Sequence, residues 1–96
     1  MSRQDFECHI TVEAIAEQRE RLEVIGRKAG WKTSFVVGDP DLGKGSRFFL
    51  TAHYPDIDSA KQATNAVAYL IEHWDIRVVR KKVELVVMDT KAGTWL

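Results

Sequence analysis

Two short segments of this sequence each pair a histidine with a threonine at a spacing of two residues. His9 precedes Thr11 in the first segment, and Thr51 precedes His53 in the second. An imidazole exchanges a proton near neutral pH, so one histidine can serve as a base while the other serves as an acid. If the fold brings the segments together, they predict a site for an anionic or phosphorylated ligand. His9 and His53 are then the candidate catalytic residues, and the hydroxyls of Thr11 and Thr51 are candidate ligands for the anion's oxygens.

Alternation of apolar and polar residues places the first pair on a strand. The segment Phe6–Val12 alternates strictly, which is typical of a strand with one buried face. Because successive side chains point to opposite faces, the apolar set faces a core, and His9 and Thr11 face away from it. The segment Arg47–Tyr54 is apolar and aromatic and turns its own threonine and histidine to the same outer face.

The pairing of these two strands decides which side chains meet. Antiparallel partners have a constant sum of residue numbers, and His9 with His53 gives the same sum as Thr11 with Thr51. One register therefore sets histidine opposite histidine and threonine opposite threonine. A slip of two residues instead sets each histidine near a threonine and keeps every side chain on its face.

The last predicted strand supplies two further candidates. With Val83, Leu85 and Val87 facing the core, Lys82 and Glu84 face outward beside the histidines. We assign both as candidate ligand-binding residues, and Glu84 as a carboxylate that orients a histidine if the register allows.

The order of the elements predicts the fold. The predicted elements are a strand at 6–12, a helix from about 14 to a Gly30 cap, strands at 31–37 and 47–54, a helix from Asp56 or Asp58 to about His73, and a strand from about 76 to 88. With right-handed crossovers this order gives a ferredoxin-like βαββαβ two-layer α+β sandwich, in which two helices cover one face of a four-stranded antiparallel sheet. The first and third strands are central, and the other face is open. We expect a single domain over residues 1–96, with a short tail from about residue 89.

Composition limits the partners and the compartment. The 96 residues carry 14 Lys plus Arg against 14 Asp plus Glu, so no overall positive field attracts nucleic acid or an anionic membrane. The single cysteine, Cys8, cannot form an internal disulfide, the first residues lack a hydrophobic signal, and no apolar stretch approaches the roughly 20 residues of a membrane span. We therefore expect a cytoplasmic protein that has neither nucleic acid nor a membrane as a partner.

Three other features carry weaker predictions. The turn-rich segment Gly38–Ser46 predicts a hairpin loop that could fold over the open face as a lid. The basic run Arg80–Lys82 predicts an irregular or exposed part of its strand, where it could bind an anion or guard an edge. Cys8 alternates to the face opposite His9, and the sequence has no metal-ligand spacing, so we predict no metal and no cofactor.

The segment with His9 and Thr11 resembles half of the signature of the 2H phosphoesterase superfamily, whose two His-x-Thr/Ser motifs act on cyclic phosphates or 2′,5′-linked RNA. The resemblance implies an acid or base role for His9 and a phosphate-binding role for Thr11. The second segment reads in the opposite order to the family motif.

Two functions remain open from the sequence. One is a small domain that binds an anionic or phosphorylated molecule through the histidines and threonines, with phosphoesterase-like catalysis left undecided. The other is a non-enzymatic homodimeric interaction or regulatory module that buries the open face. The apolar residues predicted to face outward, Phe49, Val36 and Val86, favour this alternative. The open face of an antiparallel sheet is also normally polar without any function.

Overall fold

Seven regular helices and strands are present in the computed structural model, which describes residues 5–36, 46–87 and 90–95. They are β1 (Asp5–Ala14), α1 (Arg19–Ala29), β2 (Lys32–Val36), β3 (Ser46–Tyr54), α2 (Ile57–His73), β4 (Arg77–Val87) and β5 (Thr90–Trp95). A short 3₁₀ turn, Ala16–Gln18, leads from β1 into α1. The predicted loop at Gly38–Ser46 falls almost entirely outside the described residues.

All five strands form one antiparallel sheet in the order β2-β3-β1-β4-β5. The first four strands have the order expected of a ferredoxin-like α+β sandwich, with β1 and β3 adjacent, and this prediction is confirmed. The structure differs at the end of the chain, where β5 pairs with β4 in place of the expected tail. An outer strand presents unpaired backbone N–H and C=O groups, and β5 satisfies those of β4.

The core lies between the sheet and the two helices. Along β1 every second residue is buried, and Cys8, Ile10 and Val12 are completely inaccessible. Phe48 and Leu50 continue this layer on β3, and both helices contribute further core residues. The buried hydrophobic side chains of the helices are those of Leu22, Ile25, Ala60, Val67, Ala68 and Ile71. Strict alternation on β1 thus turns all its odd-numbered side chains toward the open face, as the sequence predicts.

The ends of both helices follow from local chemistry. Gly30 ends α1 in the left-handed conformation (φ 78°), as predicted for a C-terminal cap. Between the two predicted caps of α2, the structure selects Asp56, whose carboxylate accepts a 2.7 Å hydrogen bond from the Ser59 backbone N–H. This backbone hydrogen bond and a second one from the Ser59 hydroxyl hold the pKa of Asp56 below its usual value.

An irregularity in β4 occurs beside the basic run. Thr11 pairs with Arg80 but Val12 pairs with Val78, so Val79 is an extra residue in the ladder. The extra residue lets Val78 pack on the core while Arg80 and Lys82 stay on the open face. The predicted irregularity is confirmed. The described pairing of β4 with β5 begins at Val83 and does not include this stretch.

Neither helix in the described part of the chain is long and apolar enough to cross a membrane.

Candidate functional site

A shallow cavity of about 400 Å³ lies at the centre of the open sheet face. Three hydroxyl side chains line it, one from each of three adjacent strands: Ser34 on β2, Thr51 on β3 and Thr11 on β1. The remaining wall is formed by His9, Phe49, Arg80 and Lys82. Three hydroxyls, an imidazole and two cationic side chains are groups that bind the oxygens of an anion.

The register between β1 and β3 follows the second of the two predicted alternatives. His9 lies opposite Thr51, while Thr11 lies opposite Phe49. His53 lies opposite Glu7 and not opposite a threonine, so the slip brings only one of the two histidines beside a hydroxyl. The register that pairs histidine with histidine is not the one adopted. Two inward pairs of the same ladder, Ile10 with Leu50 and Val12 with Phe48, are at most 2% exposed, and a slip would change which of these side chains pack together.

His9 is held from two sides. Its Nδ1 lies 3.4 Å from the Thr51 hydroxyl, and its Nε2 lies 2.5 Å from a Glu7 carboxylate oxygen. The Nε2 atom is buried, and its contact with Glu7 lacks hydrogen-bond geometry. Both ring nitrogens are therefore turned to protein groups. Acid–base chemistry on a ligand would require the ring to turn away from one of them.

His53 lies at one end of the open face, away from the cavity lining. Its Nδ1 contacts Asp5 at 2.8 Å, and half of its side chain is exposed. His53 pairs across the strands with Glu7, whereas His9 pairs with Thr51, and His53 therefore does not line the cavity with His9. The two histidines lie on the same sheet face, as predicted, but in different surroundings.

Lys82 and Glu84 lie on the open face as expected and form an ion pair with each other. Lys82 also lies opposite His9 and lines the cavity. Glu84 lies opposite Glu7 and is 3% exposed, so it sits next to the cavity without lining it. The carboxylate in contact with His9 is that of Glu7, two residues before it on the same face. The role of Glu84 as a group that orients a histidine stays a prediction.

Sequence reasoning did not assign three of the lining residues to the site: Ser34, Phe49 and Arg80. Phe49 and Ser34 are opposite each other across β3 and β2, and Arg80 is opposite Thr11. Alternation alone puts Phe49 and Arg80 on the open face. Their proximity to His9 depends on the strand pairings, which no local pattern reports.

Charge is unevenly distributed over the open face. Three carboxylates, those of Asp5, Glu7 and Glu84, lie at the end where β1 begins. Arg80 and Lys82 lie toward the middle, and Arg47 and Arg77 flank Glu13 at the far end. The chain is neutral overall, yet the two charged side chains that line the cavity, Arg80 and Lys82, are both cationic.

Cys8 points into the core, as predicted. Burial raises the pKa of its thiol, which favours the neutral form and makes the group a poor nucleophile. Within the described residues, no group of three His, Cys, Asp or Glu side chains converges on a potential metal site.

A scan of protein-family models and a search of curated protein sequences found no match to this chain.

Proposed function

We propose that the protein binds a small anionic molecule, such as a phosphorylated metabolite, in the cavity on the open sheet face. One observation carries the proposal: two cationic side chains and three hydroxyls converge on a single cavity beside His9. A cavity of about 400 Å³ lies within the roughly 300–1,000 Å³ that small-molecule sites usually have.

Arg80 is the main anion contact in this proposal. Lys82 is already paired with Glu84. Arg80, which follows the extra residue Val79 in β4, is exposed and lines the cavity. A guanidinium donates two parallel hydrogen bonds to an oxyanion, which gives both affinity and orientation. The hydroxyls of Thr11 and Thr51 then complete the hydrogen bonding of the remaining oxygens.

The experiment is a titration with inorganic phosphate, monitored by the NMR signals of the His9 ring and of the backbone amides of β1 and β3. Removing the charge in Arg80→Gln is expected to weaken binding about tenfold or more, because a charge-assisted hydrogen bond contributes about 1.5–3 kcal/mol. Arg27→Gln is the matched control, since Arg27 is an exposed arginine on α1, on the other side of the sheet. If the wild-type signals do not move, or both variants weaken binding equally, the proposal is wrong.

Phosphoesterase-like catalysis by His9 and His53 remains a prediction. It requires both histidines to reach one phosphate, but the two are not cross-strand partners: His9 pairs with Thr51, and His53 pairs with Glu7. We therefore place binding ahead of catalysis. Hydrolysis of a cyclic phosphate that is lost in both His9→Ala and His53→Ala would reverse that order.

The homodimer that buries the open face also remains a prediction. Stable homodimer interfaces are predominantly apolar at their centre, whereas the centre of this face carries charged and hydroxyl side chains around Phe49. This composition favours a ligand over a second copy. A native mass measurement that finds a dimer, together with protection of Thr51 and Arg80 in it, would support the alternative.

A further inference from the structure

Phe49 is the aromatic side chain that lines the cavity. It is half-buried on the open face, while its neighbours Phe48 and Leu50 fill the core on the other face. Its cross-strand partners on this face are Thr11 and Ser34, whose side chains are small. The ring therefore lies beside small polar groups, with one side toward the cavity.

The cationic groups of the cavity lie on one side of this ring. Arg80 and Lys82 are on β4, two strands away from Phe49 on β3, with β1 between them. Two strand spacings separate these positions by about 10 Å. A ligand that uses both ends of the cavity must therefore carry its negative charge at one end and an apolar surface at the other.

The hydroxyl groups next to Phe49 indicate which kind of apolar surface the ligand carries at this end. Ser34 and Thr11 flank the ring, and each can donate or accept a hydrogen bond. Because the Thr11 hydroxyl also lies opposite Arg80 and binds the phosphate in the proposed site, Ser34 is the hydroxyl left for the other end of the ligand. A saturated hydrocarbon would leave the Ser34 hydroxyl without a partner, at a cost in affinity. A planar ring with nitrogen or oxygen atoms at its edge can stack on Phe49 and form a hydrogen bond with Ser34 at the same time.

We infer that the ligand is a phosphorylated molecule that carries a planar heterocycle, such as a nucleoside monophosphate. Its phosphate binds at Arg80 and Lys82, and its ring stacks on Phe49. The inference rests on the proposed anion site, and it adds the chemical class of the ligand.

The experiment compares adenosine 5′-monophosphate with ribose 5-phosphate, which has the same anion and sugar but no base. Stacking of a base on an aromatic side chain is worth about 1–3 kcal/mol, so the wild type is expected to bind the nucleotide about 5–150-fold more tightly. Phe49→Leu is expected to lose most of this preference while its affinity for ribose 5-phosphate stays within about twofold. Phe49→Tyr keeps the ring and is expected to keep the preference, which separates stacking from a structural effect.

Tyr69→Leu is the matched control, because Tyr69 is an aromatic residue that is 74% exposed on α2. It is expected to bind both compounds like the wild type. Equal binding of the two compounds by the wild type overturns the inference and leaves the anion site intact. Binding of neither compound, nor of inorganic phosphate, overturns both proposals. Loss of both affinities in Phe49→Leu and in Phe49→Tyr assigns Phe49 a structural role and also overturns the inference.

Discussion

Adjacent residues on β1 have opposite environments, although only one peptide bond separates them. Cys8 is completely inaccessible, and its Sγ lies 3.7 Å from the Ala60 carbonyl oxygen on α2. His9 faces the cavity, with Glu7 and Thr51 around it. The pleat of the strand therefore divides the chemistry of this segment into an inert thiol on one face and a polar cluster on the other.

Burial of Cys8 predicts a dependence of stability on pH. Because the folded-state pKa of the thiol is raised, the folded protein holds this proton after the unfolded chain has released it. The free energy of unfolding therefore falls as the pH rises above about 8.5, the ordinary thiol value. Below that pH both states are protonated and the group adds no pH dependence.

Cys8→Ala isolates this effect. At pH 7 the variant is expected to be less stable by roughly 1 kcal/mol, since the substitution leaves a small cavity in the core. The difference between wild type and variant is expected to shrink between pH 8.5 and pH 10, as measured by urea unfolding with reductant present. A difference that stays constant over this range would contradict the prediction.

At the scale of the elements, α1 approaches the sheet more closely than a helix with side chains on every residue could. Gly26 is buried in the last turn of α1, and a Cβ atom there would lie 2.5 Å from the Thr33 hydroxyl and 3.1 Å from the Trp31 carbonyl oxygen. The Trp31 N–H also donates a 2.7 Å hydrogen bond to the Gly26 carbonyl oxygen. The missing side chain therefore sets how closely the end of α1 packs against β2.

Gly26→Ala is expected to destabilise the protein, although alanine ordinarily stabilises a helix by about 1 kcal/mol relative to glycine. The clash with Thr33 and Trp31 exceeds that gain, and overpacking typically costs about 1–3 kcal/mol. Urea unfolding measures the change. Adding Thr33→Ala removes the closest contact and is expected to recover part of the loss.

Gly30→Ala separates this steric effect from backbone strain. Gly30 has a positive φ, but a Cβ atom there would meet no atom within 4 Å. The cost of that variant comes from the left-handed conformation alone and is not expected to respond to Thr33→Ala. If Thr33→Ala rescues both alanine variants equally, the contact at Gly26 is not the cause.

At the scale of the whole molecule, β5 gives the fold a fifth strand and changes the environment of β4. The pairing with β5 runs from Val83 to Val87, so this part of β4 lies between two strands, and Arg80 and Lys82 at the site precede it. Glu84 is deeply buried although it lies on the open face, and it pairs with Glu7 on β1 and with Thr94 on β5. One carboxylate at the acidic end of the open face thus lies beside a strand that the fold class does not require.

A chain that ends at Asp89 is expected to keep the sandwich. Ordering one residue costs about 1–2 kcal/mol, which offsets most of the roughly 0.5–1.5 kcal/mol that each hydrogen bond contributes. We expect the free energy of unfolding to fall by less than about 3 kcal/mol.

Hydrogen exchange locates the effect of this truncation. The backbone amides of Val83–Val87 that face β5 are expected to exchange faster, while those between β1 and β3 keep their protection. The amides of β2, which is already an outer strand, serve as the internal reference. Unchanged exchange in β4, or complete unfolding of the shortened chain, would each disagree with this view of β5.

The sequence by itself determined the order of the elements from β1 to β4, the ferredoxin-like arrangement and the face on which each β1 side chain lies. These features follow from local periodicity and from capping residues such as Gly30 and Asp56, which act over a few residues. The contact between His9 and Thr51 could therefore be predicted only as the result of one of two possible registers.

The tertiary structure decided which side chains meet. A slip of two residues leaves every side chain on its face, so alternation cannot distinguish the pairing of His9 with Thr51 from that of His9 with His53. Buried inward pairs across β1 and β3 stabilise the register adopted, because Ile10 with Leu50 and Val12 with Phe48 pack together in the core. The same nonlocal pairing sets Arg80 and Phe49 around the cavity and leaves His53 beside Asp5.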